Sequence, residues 1–207
     1  MSSSPPASYT ISPSLDAFTS TSPAAFLAAN PPIQHLIAGA VVTNPQGQIL
    51  LIRRAAHDSW PLQWEVPGGC VDASDATLVA AAVRELHEET GLRATAVRCV
   101  VRLAPPDDAA PDKPADALEV DLRVLGDVVV FSDGGEVWGK MTAWVDVESC
   151  DVVRICDDEH CEFAWVTEQE TRDTRFKDGR DLDFVSDGVR RTVLEGFRLW
   201  RDQKESN

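Results

Sequence analysis

Glu85, Glu88 and Glu89 crowd into the run RELHEETGL, directly behind Arg84. On a helix, side chains three and four residues apart are neighbours, so the three carboxylates point roughly the same way and Arg84 can pair with Glu88. Glu88 and Glu89 are separated by only about 100° around the axis. Like charges so placed cost a few tenths of a kcal/mol per pair. They also stand near a helix C-terminus, the end that disfavours anions. A bound divalent cation reverses the sign, because hard ions such as Mg²⁺ take carboxylate oxygens, keep several waters and share substrate phosphates. The competing reading is a solvated acidic face. What favours chemistry is the approach to the helix, in which WEV, Trp64–Val66, enters a Pro67-Gly68-Gly69 turn and a short spacer follows.

These residues need elements to hold them. Leu78, Ala82 and Leu86 recur at helical spacing, with Val79 and Val83 beside them, predicting a helix over Ala76–Thr90 with Asp75 as N-cap and Gly91 as its stop. Upstream, apolar runs at Leu36–Thr43 and Gln48–Arg53 flank NPQG, the composition of a β-hairpin. Downstream, Ala94–Leu103, Leu118–Phe131, Trp138–Glu148 and Cys161–Thr167 read as strand regions, SDGGE joining the second and third. EQETRD begins a brief helix. Ser186–Gln203 closes the chain as an amphipathic helix, with Val189, Val193, Phe197 and Trp200 on one face and Ser186 or Asp187 as cap. The order strands, helix, strands, helix implies an α/β fold, a mixed sheet covered by helices on two faces. Residues 1–32, rich in Ser, Pro and Ala, are expected as a flexible arm with short ordered contacts near Leu15–Phe18 and Phe26–Leu27. Residues 33–203 form the single domain and 204–207 a tail. The Pro- and Asp-rich stretch Ala104–Ala117 is expected to be a mobile loop.

The formal net charge of −15, from 19 basic and 34 acidic residues, disfavours nucleic acid polymers and anionic membrane surfaces as partners. It leaves room for a small anion held through cations. No apolar run approaches the ~18–20 residues that span a membrane. Five cysteines, an odd number, without a secretory or transit signal suggest reduced thiols and a cytoplasmic home. Cys156, His160 and Cys161 do not have zinc-knuckle spacing.

The stretch Gly68–Leu92 resembles the box of the Nudix hydrolases, Gx5Ex7REUxEExGU with U a bulky aliphatic. Gly69, Arg84, Glu85, Leu86, Glu88, Glu89, Gly91 and Leu92 stand in matching roles. The resemblance extends loosely over Leu36–Val166. One departure is plain: counted from Gly69, the first Glu of the pattern is Asp75, and eight residues rather than seven separate it from Arg84. That acid mainly supports the loop and helix in the family, and Asp72 or Asp75 could substitute.

The resemblance implies a Nudix-like α/β/α sandwich that uses Mg²⁺ or Mn²⁺ and water to cleave a nucleoside diphosphate-linked (NDP-X) or related small-molecule diphosphate. It implies that Glu85, Glu88 and Glu89 bind metal with the Gly69 carbonyl, and that Arg84 holds a glutamate by a bidentate pair. One of the glutamates, or a loop acid, is the general base. Glu159, in EHCEFAWV, matches a loop acid that family members often carry, as auxiliary base or ligand, against the bland reading of a solvated acid. The chemistry agrees: a phosphoanhydride needs charge neutralised on its oxygens and an activated water. For substrate, Arg53 and Arg54 end a strand beside the expected site and could contact phosphate. Trp64 and Glu65 adjoin the Gly-Gly turn; Trp64 either stacks on a base or packs in the core. His160 is expected to be structural or exposed. The alternative function is a Nudix-fold nucleotide sensor without turnover, kept open by the altered spacing at Asp75.

Overall fold

The computed structural model describes residues 8–106 and 122–206, so the expectations for most of the Ala104–Ala117 loop and for the start of the Leu118–Phe131 strand region lie outside it. The elements run β1 (Thr10–Ile11), a 3-10 turn at Pro13–Leu15, α1 (Asp16–Thr19), α2 (Pro23–Ala29), β2 (His35–Val41), β3 (Ile49–Arg54), β4 (Trp64–Glu65) and β5 (Gly68–Cys70). Then come α3 (Leu78–Thr90), β6 (Ala94–Val100), β7 (Arg123–Leu125), β8 (Val128–Asp133), β9 (Glu136–Val147), β10 (His160–Val166), α4 (Glu168–Asp173) and α5 (Asp187–Glu205).

β9 organises the larger sheet. Along one edge it pairs in parallel with β2, from His35 opposite Trp138 to Val41 opposite Trp144. Its other edge is shared, β8 pairing with the first part and β6 with the last. β5 adds to β2, β1 to β6 and β7 to β8. A smaller antiparallel sheet has the order β10-β3-β4. The sheet is mixed, as expected, and the helices take two sides. α3 packs on β2 over one core with Leu78, Ala82 and Leu86 fully buried, while Val193 and Phe197 of α5 close a second core with Val41, Ile49 and Trp64.

Three expectations change. The NPQG turn forms, with Gly47 N–H donating to Asn44 O at 2.9 Å, but β2 and β3 are not a regular hairpin. A single bridge, Thr43 to Ile49, joins them before they part into different sheets. Both are apolar on both faces, with Ala38, Ala40 and Val41 of one and Ile49–Ile52 of the other fully buried. Separate sheets bury all of those faces; a ribbon with one side in water would not. The cap of α3 is Thr77, whose hydroxyl accepts from Ala80 N–H at 3.1 Å; Asp75 is engaged elsewhere. Finally, residues 8–32 of the expected arm are held by more than the short contacts expected at Leu15–Phe18 and Phe26–Leu27. β1 runs parallel to β6, and Leu15 and Phe18 are buried in the core beneath α3. Phe26 and Leu27 pack at its margin. Three residues apart on a helical stretch, Leu15 and Phe18 present one apolar face.

Other expectations stand. Gly91 ends α3 at φ 69°. Ser186 caps α5 by accepting from Val189 N–H at 3.2 Å. EQETRD is α4, held by a capping box between Thr167 and Glu170. No helix among the described residues is long and apolar enough to cross a membrane.

Two stability measurements follow from these contacts. Leu15→Ala is expected to lower unfolding free energy by roughly 2–5 kcal/mol, the usual range for a buried leucine; urea unfolding that matches wild type would mean the segment is not part of the core. The second concerns Glu170. Burial pushes its carboxyl up, but hydrogen bonds from Thr167 and from Lys177 N–H outweigh this and hold it below the usual range. A depressed carboxylate contributes stability above the unfolded value of about 4.3 and loses it as pH falls through the lower folded value. Glu170→Gln should therefore be less stable than wild type at neutral pH, with the gap closing as unfolding is followed down to about pH 3.

Candidate active site

β5 brings the Gly-Gly turn to the acidic helix. Ala38 and Gly39 of β2 lie opposite Gly69 and Gly68, which lays the turn against the C-terminal half of α3. A Cβ on Gly69 would meet the Glu85 carboxylate at 2.8–3.0 Å, so only glycine lets backbone and carboxylate come this close. Gly68 N–H donates to Glu89 Oε2 at 2.6 Å.

Arg84 ties the acids together. Its Nε and Nη2 donate to the two Asp75 oxygens at 3.0 and 2.8 Å, a bidentate pair. Nη1 donates to Glu85 Oε1 at 2.8 Å and Glu88 Oε2 at 2.9 Å, and Nη2 also reaches Cys70 O at 3.1 Å. Asp75 thus joins loop to helix at the lengthened spacing, and its second partner, Asp72 N–H at 2.8 Å, closes the loop on itself. Burial raises the Asp75 carboxyl, but the Arg84 bonds more than offset that and leave it below its ordinary value. With Asp75 foremost among its partners, Arg84 is held firmly charged.

The other acids go the opposite way. Glu85 and Glu89 are 9% and 4% exposed, while Glu88 is exposed. Burial raises Glu85 above the usual carboxylate range despite Arg84. Burial, then repulsion from Glu65, pushes Glu89 up to about 9. One cation does not neutralise this group.

A second wall comes from the turn before β10. Arg154 N–H and Cys156 N–H donate to Thr90 O and Glu89 O at 2.8 and 3.1 Å, capping carbonyls at the end of α3. Glu159 and His160 N–H groups donate to Cys156 O at 3.1 and 2.8 Å, and Ala55 N–H donates to Glu159 O at 2.8 Å. The tethers bring Glu159, His160 and Glu89 together, one ligand atom from each lying within 4.8 Å of the others. His160 is 2% exposed, with Nε2 3.6 Å from Glu89 Oε1. Burial lowers its pKa, with Glu65 opposing.

These residues line one end of a cavity of about 760 Å³. The expected substrate residues divide. The period of two along a strand sends Arg53 and Arg54 to opposite faces. Arg54 lines the cavity, but Glu65, Asp58 (2.5 Å) and Ser59 O engage its guanidinium. Arg53 turns away to Leu62 O at 2.9 Å and Glu162 at 3.2 Å, and does not line the cavity. Trp64, 1% exposed and edge-on to Phe176 at 5.3 Å, is a core residue, so of its two expected roles packing holds and the substrate-binding role is dropped. Glu65 does face the cavity, where it holds Arg54.

The cavity floor carries no signal of its own in residue type or spacing. Trp138, Lys140 and Thr142 alternate along β9 and all face inward, beside Val129 and Phe131 of β8. The alternation was visible in WGKMT; which face would be enclosed was not. Lys140 makes no ion pair among the described residues.

Residues 33–183 match the NUDIX domain family. The chain belongs to that family. Among Nudix relatives, the Uncharacterized Nudix hydrolase NudL of Enterobacter sp. (strain 638) is 43% identical over 68 residues, 32% of this chain and 35% of that protein. The NudL of Salmonella newport (strain SL254) is 44% identical over 70 residues, 33% and 36% of the two chains. This chain's match therefore spans about a third of the length of those relatives. Among solved Nudix-like folds, the MutT protein from Methanosarcina mazei Go1 superposes with TM-score 0.51 at 20% identity, covering 82% of this chain and 95% of its own. A C. elegans Ap4A hydrolase gives 0.50 at 18% identity, covering 82% and 99%. At these identities the likeness is one of fold.

The Nudix site fits a divalent cation on its own terms. It combines a backbone cradle that a Cβ would fill, two buried carboxylates raised by burial, and a buried histidine with neither ring nitrogen hydrogen-bonded.

If Asp75 anchors Arg84, Asp75→Ala should cost roughly 1–3 kcal/mol of stability, the scale for leaving a charged partner unsatisfied, and Asp75→Glu should recover part of it. Equal urea midpoints for wild type and Asp75→Ala would assign the anchoring elsewhere.

Proposed function

We propose that this chain is a metal-dependent pyrophosphohydrolase that cleaves a phosphoanhydride bond in a nucleoside diphosphate-linked or related small-molecule diphosphate by attack of water. The observation that carries this is the buried pair Glu85 and Glu89 packed against Gly68–Gly69, two carboxyls raised by burial whose ionised forms Arg84 alone does not satisfy. Glu85, Glu88, Glu89 and the Gly69 carbonyl are the residues that would hold Mg²⁺ or Mn²⁺. A bound cation supplies charge neutralisation at the phosphate oxygens and makes water a better nucleophile at neutral pH.

The chain's own residues do the rest. Arg84 fixes Glu85 and Glu88 in direction, and Asp75 fixes Arg84. Glu159 reaches the acidic end from the opposite wall and is exposed, which suits an acid that orients the attacking water there and lets its proton leave to solvent. Lys140, on the floor between the acidic end and the apolar side chains of Val129 and Phe131, is placed to meet a phosphate oxygen. The apolar part of the floor suits the group attached to the diphosphate, where a flat ring would cover Phe131 and Trp138. The lengthened loop, which favoured a binding module without turnover, loses that weight because Asp75 makes the bidentate pair across it.

The test is release of phosphate, or of a phosphate ester, from nucleoside triphosphates, nucleotide sugars and dinucleotides with and without Mg²⁺ or Mn²⁺. Glu88→Gln and Glu89→Gln are expected to lower kcat by at least about 10²-fold, as loss of a charge-stabilising group does, with folded circular dichroism spectra. Lys140→Met should raise KM more than it lowers kcat. Full metal-dependent turnover in both glutamine variants would remove the acidic helix from the reaction.

A further inference from the structure

We propose that His160 is a nitrogen ligand, completing with Glu89 and Glu159 a mixed nitrogen–oxygen site for a first-row transition ion such as Mn²⁺ or Co²⁺ in preference to Mg²⁺. The proposal deepens the hydrolase reading and rests on it for the identity of the site. Two independent observations support it. The first is geometric: one donor atom each from Glu89, Glu159 and His160 lie within 4.8 Å of one another. The second is that the His160 ring is 2% exposed, yet neither Nδ1 nor Nε2 makes a hydrogen bond. A buried polar group left so costs about 1–3 kcal/mol. Nε2 faces Glu89 Oε1 at 3.6 Å, beyond hydrogen-bonding distance. An ion between them would give Nε2 and Oε1 a shared partner.

The surroundings permit it. The cation that acts on the ring, Arg54, is itself paired with Glu65 and Asp58. Glu65 and Glu159 add negative charge close to the ring. The turn that carries His160 cannot drift from Glu89, because Cys156 N–H bonds the Glu89 carbonyl itself. The preference follows from donor chemistry. Mg²⁺ takes oxygen ligands and dehydrates reluctantly. Imidazole suits later first-row ions, whose affinities rise from Mn²⁺ through Co²⁺, and Mn²⁺ also accepts carboxylate.

Pulsed electron paramagnetic resonance of Mn²⁺ bound to the full chain reads this directly. The expected spectrum shows a nitrogen coupling that shifts when histidine is labelled with ¹⁵N and disappears in His160→Gln. By calorimetry, the Co²⁺-to-Mg²⁺ affinity ratio should fall at least about tenfold in that variant, the loss that even an outer partner of a ligand causes. Should His160→Gln fail to fold, a chain carrying His35→Gln, His57→Gln and His87→Gln retains His160 as its one histidine and should keep the coupling. Bound Mn²⁺ without a nitrogen coupling overturns the proposal, even if diphosphates are hydrolysed. A coupling assigned to His160 in a chain that hydrolyses nothing upholds the ligand and sinks the hydrolase reading instead.

Discussion

Glu85 and Glu89 leave the same helix one turn apart and are both buried, and most of the site is built around that difficulty. An ionised carboxylate taken out of water costs several kcal/mol unless partners replace the lost hydration. Arg84 and the Gly68 amide replace part of it. What they leave is visible in Glu89, whose carboxyl is pushed up to about 9. A carboxyl raised that far keeps its proton until a cation takes its place, which is the behaviour a cation-dependent site requires. The arrangement persists because its supports are strong: Arg84 is held by both oxygens of Asp75, and Gly69 is held to β2 by sheet pairing.

The rest of the chain makes those supports rigid. α3 is braced from below by Leu15 and Phe18 and from the sheet side by Ala38 and Ala40, so its acidic end has little freedom to swing. Its last carbonyls are taken by the 154–156 backbone, an arrangement that closes the helix and delivers Glu159 and His160 in the same stroke. β9, paired along both edges, carries the cavity floor across to β8. Acidic wall and apolar floor are thus two parts of one rigid cavity. The proposed diphosphate, with its charged end at α3, would have its other group over Phe131 and Trp138, which line the same cavity.

Much of this was legible in the chain itself. RELHEETG announced a helix, its stop and its carboxylates, because periodicity and like-charge crowding are local facts. Pro67-Gly68-Gly69 announced a close backbone approach. The amphipathic closing helix and its Ser186 cap followed from spacing, as did most strand positions. The questions that stayed open in the sequence share one cause. Arg53 and Arg54 look alike in sequence, but one faces Glu162 and the other Glu65. Trp64 beside a glycine turn could equally have been wall or core. The Ser- and Pro-rich start showed its anchors at Leu15–Phe18 and Phe26–Leu27, but not the pairing of β1 with β6 that holds it further.

The sequence by itself determined which residues could carry charge chemistry and on which helix, since that depends on residue type and on a spacing of three or four. Tertiary structure alone decided which acids are buried, that Asp75 serves Arg84 rather than the helix cap, and that His160 turns inward to Glu89. It also separated β2 from β3 and chose which face of β9 became the cavity floor. Several of these outcomes depend on groups far apart in the sequence, such as Glu89 with His160 and β2 with β9. Their meeting is set by sheet order and backbone tethers, and local propensity contains no term for either.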